Sequence, residues 1–285
     1  MQKKNRLVGL LVISLLVGGL SGCARHRPTS NYVQASTPTL FFHGGGSSYH
    51  AETHMVQAAE NAGVTTSVTR AMVSKTGHVK LVGTWRHGAI NPIVEVNYAN
   101  NRELDFNRHG RWAKNVVVAL QKRYHIRSFN MVGHSLGNIS LIYYSLQNSR
   151  RSQLPQLQKQ VNIAGHFAGL NFKGVPVSIR QPADLKLNAQ GKPNHMNATY
   201  KQMTNLRLVF PRRVRVLNIY GDIGGQTDGT VPNVSSLSLK YLVADRARTY
   251  TERRFTGRQA RHSRLHDNPQ VDQTLIKFLW GNHKP

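Results

Sequence analysis

Between residues 38 and 281, short apolar runs take turns with segments of helical period, and this alternation limits the possible folds more than any single residue does. "TPTLFFHGGG" opens the series as a strand running into glycines, and Tyr49 to Ala62 follows as a helix with Met55, Ala58, Ala59 and Ala62 on one face. Two β-leaning runs within residues 64–84 flank Lys75-Thr76-Gly77 and predict a hairpin. The runs "PIVEVNY", "FNMVG", "QVNIAG", "RVLNIYGD" and "RTYTERRF" predict further strands, and Trp112–Tyr124 and Leu136–Gln147 predict helices. A last helix should start at Asn268-Pro269 and stop at Gly281. The expected fold class is therefore α/β, a mostly parallel central sheet with helices on both faces. In such folds ligands bind beyond the carboxyl ends of the strands. A chain of 285 residues, 39% hydrophobic and 18% charged, suffices for one such domain.

The stretch "MVGHSLGN", residues 131–138, sets Ser135 between two glycines just after an apolar run and just before the apolar helix "LGNISLIYYSL". G-x-S-x-G in a strand–turn–helix setting is the nucleophile elbow, a turn too tight for bulky neighbours. A serine nucleophile needs a base, and the base needs an acid that fixes its tautomer. In this topology the order is Ser, then Asp or Glu after a late strand, then His near the end. "NIYGDIGGQTDGTVP" supplies Asp222 and Asp228, and "GRQARHSRLHDN" supplies His262 and His266. One oxyanion donor should be the amide of Leu136, which follows the nucleophile at a helix start. The second should come from the loop "FFHGGGSS".

Other constellations carry less. His50 and His54 in "HAETH" do not form the H-E-x-x-H zinc pattern, and no G-K-[ST] or G-x-G-x-x-G nucleotide loop follows a strand. No metal or organic cofactor is expected.

The first residues form a separate unit. Lys3, Lys4 and Arg6 precede the apolar run Leu7–Leu20, too short to span a bilayer comfortably, so residues 1–22 read as an export signal. Leu20-Ser21-Gly22-Cys23 resembles the bacterial lipoprotein cleavage box, which makes Cys23, the only cysteine, a lipidation site. The expected location is the outer face of a bacterial cell membrane, with residues 23–37 as tether and 38–285 as the folded domain. A lone cysteine excludes an intramolecular disulfide, so the exported fold rests on its core. The chain carries 38 Lys and Arg against 12 Asp and Glu, a net charge of +26. Export and the lack of zinc-finger or RNA-binding signatures argue against nucleic acid as partner. Anionic envelope polymers or lipid headgroups fit better.

Together, "FFHGGG", "GHSLGN", "YGDIGGQTDGTVP" and "HSRLHDN…FLW" resemble the lipase-like cell-surface α/β-hydrolases of Gram-positive bacteria. The resemblance implies an α/β-hydrolase fold and a Ser135–Asp228–His262 triad. Asp228 begins D-G-T-V-P, similar to the D-x-x-V-P turn that carries the acid in such enzymes, and Asp222 then braces the loop. His262 stands in an H-x-x-L segment like that of small lipases, whereas His266 lies nearer the helix cap. Similarity to the His-Gly-x loops of lipases implies Gly45 as the second oxyanion donor, with Gly44 and Gly46 giving the backbone room. Residues 167–213 interrupt the alternation with eight Lys or Arg against one Asp, and by the same resemblance form a lid or cap. Seven Arg against one Glu in residues 246–264 point to a basic surround and an anionic substrate. The expected activity is carboxylic ester hydrolysis, and the competing reading is a lipid-anchored basic protein that binds envelope polymers on a hydrolase fold.

Overall fold

The computed structural model describes residues 31–171 and 174–282; the expected signal peptide and Cys23 lie outside the described residues. Strands β1 (Thr39–Phe42), β2 (Val68–Val73), β3 (Val79–Val82), β4 (Ile93–Tyr98), β5 (Ser128–His134), β6 (Gln156–Ile163), β7 (Arg215–Asp222) and β8 (Thr249–Thr256) form one sheet. Their spatial order is β3-β2-β4-β1-β5-β6-β7-β8. Only the β2–β3 hairpin is antiparallel. The central β1 is buried at all four positions, as a strand covered on both faces must be.

The helices are α1 (Thr53–Asn61), α2 (Phe106–Tyr124), α3 (Gly137–Asn148), α4 (Ala198–Met203), α5 (Leu206–Val209), α6 (Asn233–Leu237), α7 (Leu239–Val243) and α8 (Pro269–Trp280). On one face, α1 and α8 bring Met55, Val56, Val271 and Leu275 into a core with Phe41 and Val132. On the other, α2, α3 and α7 pack Trp112, Val116, Ile139 and Leu242 with Leu40 and Met131. Neighbouring strand residues thus serve opposite layers, as the two-residue period of a strand requires.

Three stretches of the chain differ from the sequence expectation. Helix α2 begins at Phe106 rather than Trp112, because the Asp105 carboxylate caps it by accepting from the Asn107 and Arg108 amides. Gly110 within it looks like a break in sequence but permits close packing: a Cβ there would sit 2.7 Å from the Tyr143 carbonyl oxygen of α3. Residues 49–52 form a short 3-10 turn before α1. Helices α6 and α7 arise from the serine-rich "NVSSLSLKYLV", where Ser235 and Ser236 donate their hydroxyls to the Gly169 and Gly165 carbonyls. Residues 167–213 hold α4 and α5 and bury Tyr200, Met203, Leu206 and Phe210 in the same core as α3. Among the described residues no helix is long and apolar enough to cross a membrane.

Candidate active site

At the carboxyl end of β5 the chain turns through Ser135 with φ of +50°, a left-handed conformation rare for a residue with a side chain. A Cβ on Gly137 would collide with the Phe42 carbonyl of β1, and one on Gly133 would lie 2.9 Å from the Asn138 amide nitrogen. The glycines are therefore what lets α3 start against the sheet. The Ser135 amide donates to the Ile163 carbonyl at 2.9 Å. Below it, Asn138 Nδ2 donates to the Ser135 and Ile163 carbonyls, Asn162 Nδ2 to Asn138 Oδ1, and Gln160 Nε2 to Asn162 Oδ1. This buried row of amides adds a second donor to each of the two carbonyls, which already accept from the Asn138 and Ser135 amides, and ties the turn to β6.

Ser135 Oγ lies 2.8 Å from His262 Nε2, and His262 Nδ1 lies 2.7 Å from Asp228 Oδ2. The other carboxylate oxygen of Asp228 accepts from the Thr230 and Val231 amides at 2.8 and 2.7 Å. With Asp228 acceptor-only, Nδ1 carries the proton and Nε2 faces the serine as the base requires. The His262 amide donates to the Asp228 carbonyl at 2.9 Å, tying base and acid through backbone as well. Asp222 and His266, the alternatives in sequence, stand elsewhere. Asp222 accepts from the Gly224 amide and from Arg254 Nη2, and His266 pairs with Asp267 at 3.1 Å.

The amides of Gly45 and Leu136 donate to no acceptor among the described residues. Their loops touch, since a Cβ on Gly45 would lie 3.2 Å from Leu136 Cδ2 and one on Gly44 3.2 Å from Ser135 Cβ. His43 sets the orientation. Its Nε2 accepts from the Tyr98 amide, so its Nδ1 is the protonated nitrogen and donates to the Gly44 carbonyl at 2.8 Å. Across a trans peptide the Gly45 N–H then points the opposite way from that carbonyl. Burial holds the His43 ring below its ordinary pKa, in keeping with the neutral tautomer.

A cleft of about 450 Å³ opens above Ser135, Leu136, Gly45 and His262, walled by Leu104, Leu170, Val175 and Ile179. No group of three or more His, Cys, Asp or Glu among the described residues is placed to hold a metal. His50 packs its ring against Tyr49 at a tilt, and His54 faces Asp272 at 3.1 Å.

Residues 26–282 match the family described as alpha/beta hydrolase of unknown function (DUF915). The chain belongs to that family. This DUF915 hydrolase resembles a Listeria innocua protein of solved structure at 24% identity and a TM-score of 0.76, covering 88% of this chain and 96% of that one. It also resembles a candidate cell surface hydrolase from Lactobacillus plantarum at 20% identity and a TM-score of 0.65, covering 85% of this chain and 89% of that one. At such identities the likeness establishes the fold. No curated protein matches the hydrolase in sequence.

Several residues of the hydrolase that shape the site carry no motif of their own. His134 is buried and its Nε2 lies 3.0 Å from the His262 carbonyl, with its ring between those of His262 and His266. Desolvation, and then the neighbouring histidines, hold it neutral, so Nε2–H donates and braces the segment that bears the base. Gly221 lets that segment pass, because a Cβ there would collide with the Ala260 carbonyl. Polar residues inside the apolar runs "QVNI" and "HSLGN" were the only sequence sign of the amide row beneath Ser135.

Proposed function

We propose that this alpha/beta hydrolase is a serine hydrolase that cleaves carboxylic esters. The observation that carries the reading is the unbroken hydrogen-bond line from Ser135 Oγ through both nitrogens of His262 to Asp228. In the proposed reaction Ser135 Oγ attacks the acyl carbonyl while His262 Nε2 takes its proton, and the amides of Gly45 and Leu136 receive the oxyanion. Collapse expels the alcohol, protonated by His262, and leaves an acyl-serine. Water then gives a proton to His262 and attacks the same carbonyl, and as His262 returns that proton to Ser135 Oγ the carboxylic acid is released. Asp228 stays ionised throughout and stabilises the imidazolium. The apolar wall of the cleft suits an acyl chain, which favours an acyl group over a phosphoryl group as the group transferred.

The sequence supports export and lipid anchoring through Cys23. The net charge of +26 supports attraction to an anionic envelope, and that attraction should weaken as salt rises.

The test is labelling with a fluorophosphonate, read by peptide mass spectrometry beside a Ser135→Ala variant. Labelling confined to Ser135 and absent from the variant is the expected result. A folded protein that takes no label would overturn the proposal and return attention to the basic surface.

A further inference from the structure

Among the described residues that line the cleft, one is a permanent cation, Arg102. Its neighbours there are apolar, apart from the Ser135 hydroxyl, Thr230 and two histidines. Of those histidines, burial pushes His166 down to about 4, so it is neutral near pH 7. Arg102 has no ion pair and no hydrogen bond among the described residues. The two carboxylates nearest in sequence are committed elsewhere: Glu103 to Arg108 at 2.7 Å, and Asp105 to the cap of α2 and to Arg111 at 3.4 Å.

The backbone that carries this guanidinium is tied to the oxyanion loop itself. The Gly46 amide donates to the Asn101 carbonyl at 2.8 Å, and Asn101 Nδ2 donates to the Ser47 carbonyl at 2.7 Å, so the strand-end segment bearing Arg102 is clamped to the glycine loop. The guanidinium lies over Gly46, where a Cβ would come within 2.9 Å of Nη2. A guanidinium without a protein partner among the described residues, lying over the residue that follows Gly45 in a largely apolar cleft, offers a planar fork of donors to an anion.

We infer that Arg102 is a specificity residue that selects esters carrying a carboxylate or phosphate close to the scissile carbonyl, an inference that rests on the esterase reading above. It does not take part in bond making or breaking. A charge-assisted bond of this kind at a partly solvated site corresponds to about a tenfold preference. Because the guanidinium is exposed, the preference should shrink as ionic strength rises.

Four esters test this in two pairs. The mono-p-nitrophenyl ester of glutarate against p-nitrophenyl butyrate places a carboxylate on the acyl side. Lysophosphatidic acid against the monoacylglycerol of the same chain places a phosphate on the alcohol side. Wild-type protein should favour the anionic member of at least one pair by about tenfold in kcat/KM at low salt, with the difference in KM, and which pair responds identifies the anion's place. In Arg102→Gln that ratio should fall toward unity, and Arg102→Lys should retain part of it. Both variants alter an exposed side chain, and matching thermal melts would establish that they fold. Turnover of neutral esters with no anionic preference, or a preference that survives in Arg102→Gln, would overturn the inference and leave the esterase reading standing. If Ser135 takes the fluorophosphonate but none of the four esters turns over, the inference is likewise overturned. Absence of both labelling and turnover would remove the esterase reading and the inference with it.

Discussion

In the proposed mechanism the ring of His262 serves as a base only while Asp228 holds its other nitrogen, which makes sharply different demands on Asp228 and Asp222. Asp228→Asn should lower ester turnover by about a thousand- to ten-thousand-fold, because the amide can stabilise the wrong tautomer and not the imidazolium. Asp222→Asn should leave turnover nearly unchanged, because its carboxylate is bonded to the Gly224 amide and to Arg254 rather than to Ser135 or His262. Steady-state kinetics on one ester distinguish the two. His166 yields a pH prediction. Its ordinary value is 6.5, and desolvation pushes it down to about 4 in the folded chain. Below pH 6.5 the unfolded chain binds a proton that the folded chain refuses, so stability falls as pH falls, until both forms are protonated below 4. Between pH 7 and 4, urea melts should show the stability gap between wild type and His166→Gln moving by about 3 kcal/mol in the variant's favour. At this scale the sequence was legible where chemistry follows short-range grammar: the elbow, D-G-T-V-P and H-S-R-L named the three side chains that the fold brings together. His43, His134, Gly221 and the Asn138–Asn162 pair were not, since each is defined by what crosses it in space. A buried histidine that braces a carbonyl and one on the surface look alike in a string of letters.

Helices α2 and α3 meet where Gly110 faces the Tyr143 carbonyl, and that crossing holds up the nucleophile's helix. Gly110→Ala removes a poor helix former, a gain of about 1 kcal/mol, but drives a methyl group to 2.7 Å from a backbone oxygen that cannot swing aside. Overpacking of this kind costs about 1–3 kcal/mol, so the variant should melt lower than wild type by calorimetry. The same glycine explains why the sequence places the helix start too late: a Gly beside a His breaks the apolar period, and the Asp105 cap lies about two turns ahead of Trp112. Strands were easier, because a strand buried on both faces is written as an uninterrupted apolar run. The helices α4 to α7 are four to six residues each, too short for a period to emerge, and their stability comes from the core beneath rather than from their own propensities. Edge strand β8 combines both situations. It was readable as a strand, yet its exposed residues include Arg253 and Arg254, charges that discourage pairing with another chain.

For the whole molecule, a net charge of +26 on 285 residues means that the folded state compresses like charges. Thermal melts should therefore rise by several degrees as sodium chloride is raised from low to physiological strength, with screening relieving the repulsion. The two ends of the described chain also lie together. The Val33 amide donates to the Trp280 carbonyl at 2.8 Å, Tyr32 bridges to Gly281, and Asn91 Nδ2, just ahead of β4, donates to the Val33 carbonyl at 2.6 Å. Helix α8 starts beside the His262 segment and runs back about 18 Å along the sheet, so this junction sits at the amino ends of the strands, behind the site. The leading segment therefore joins the domain at its back, and a bead or blocking group attached there should leave the mouth of the cleft open to substrate.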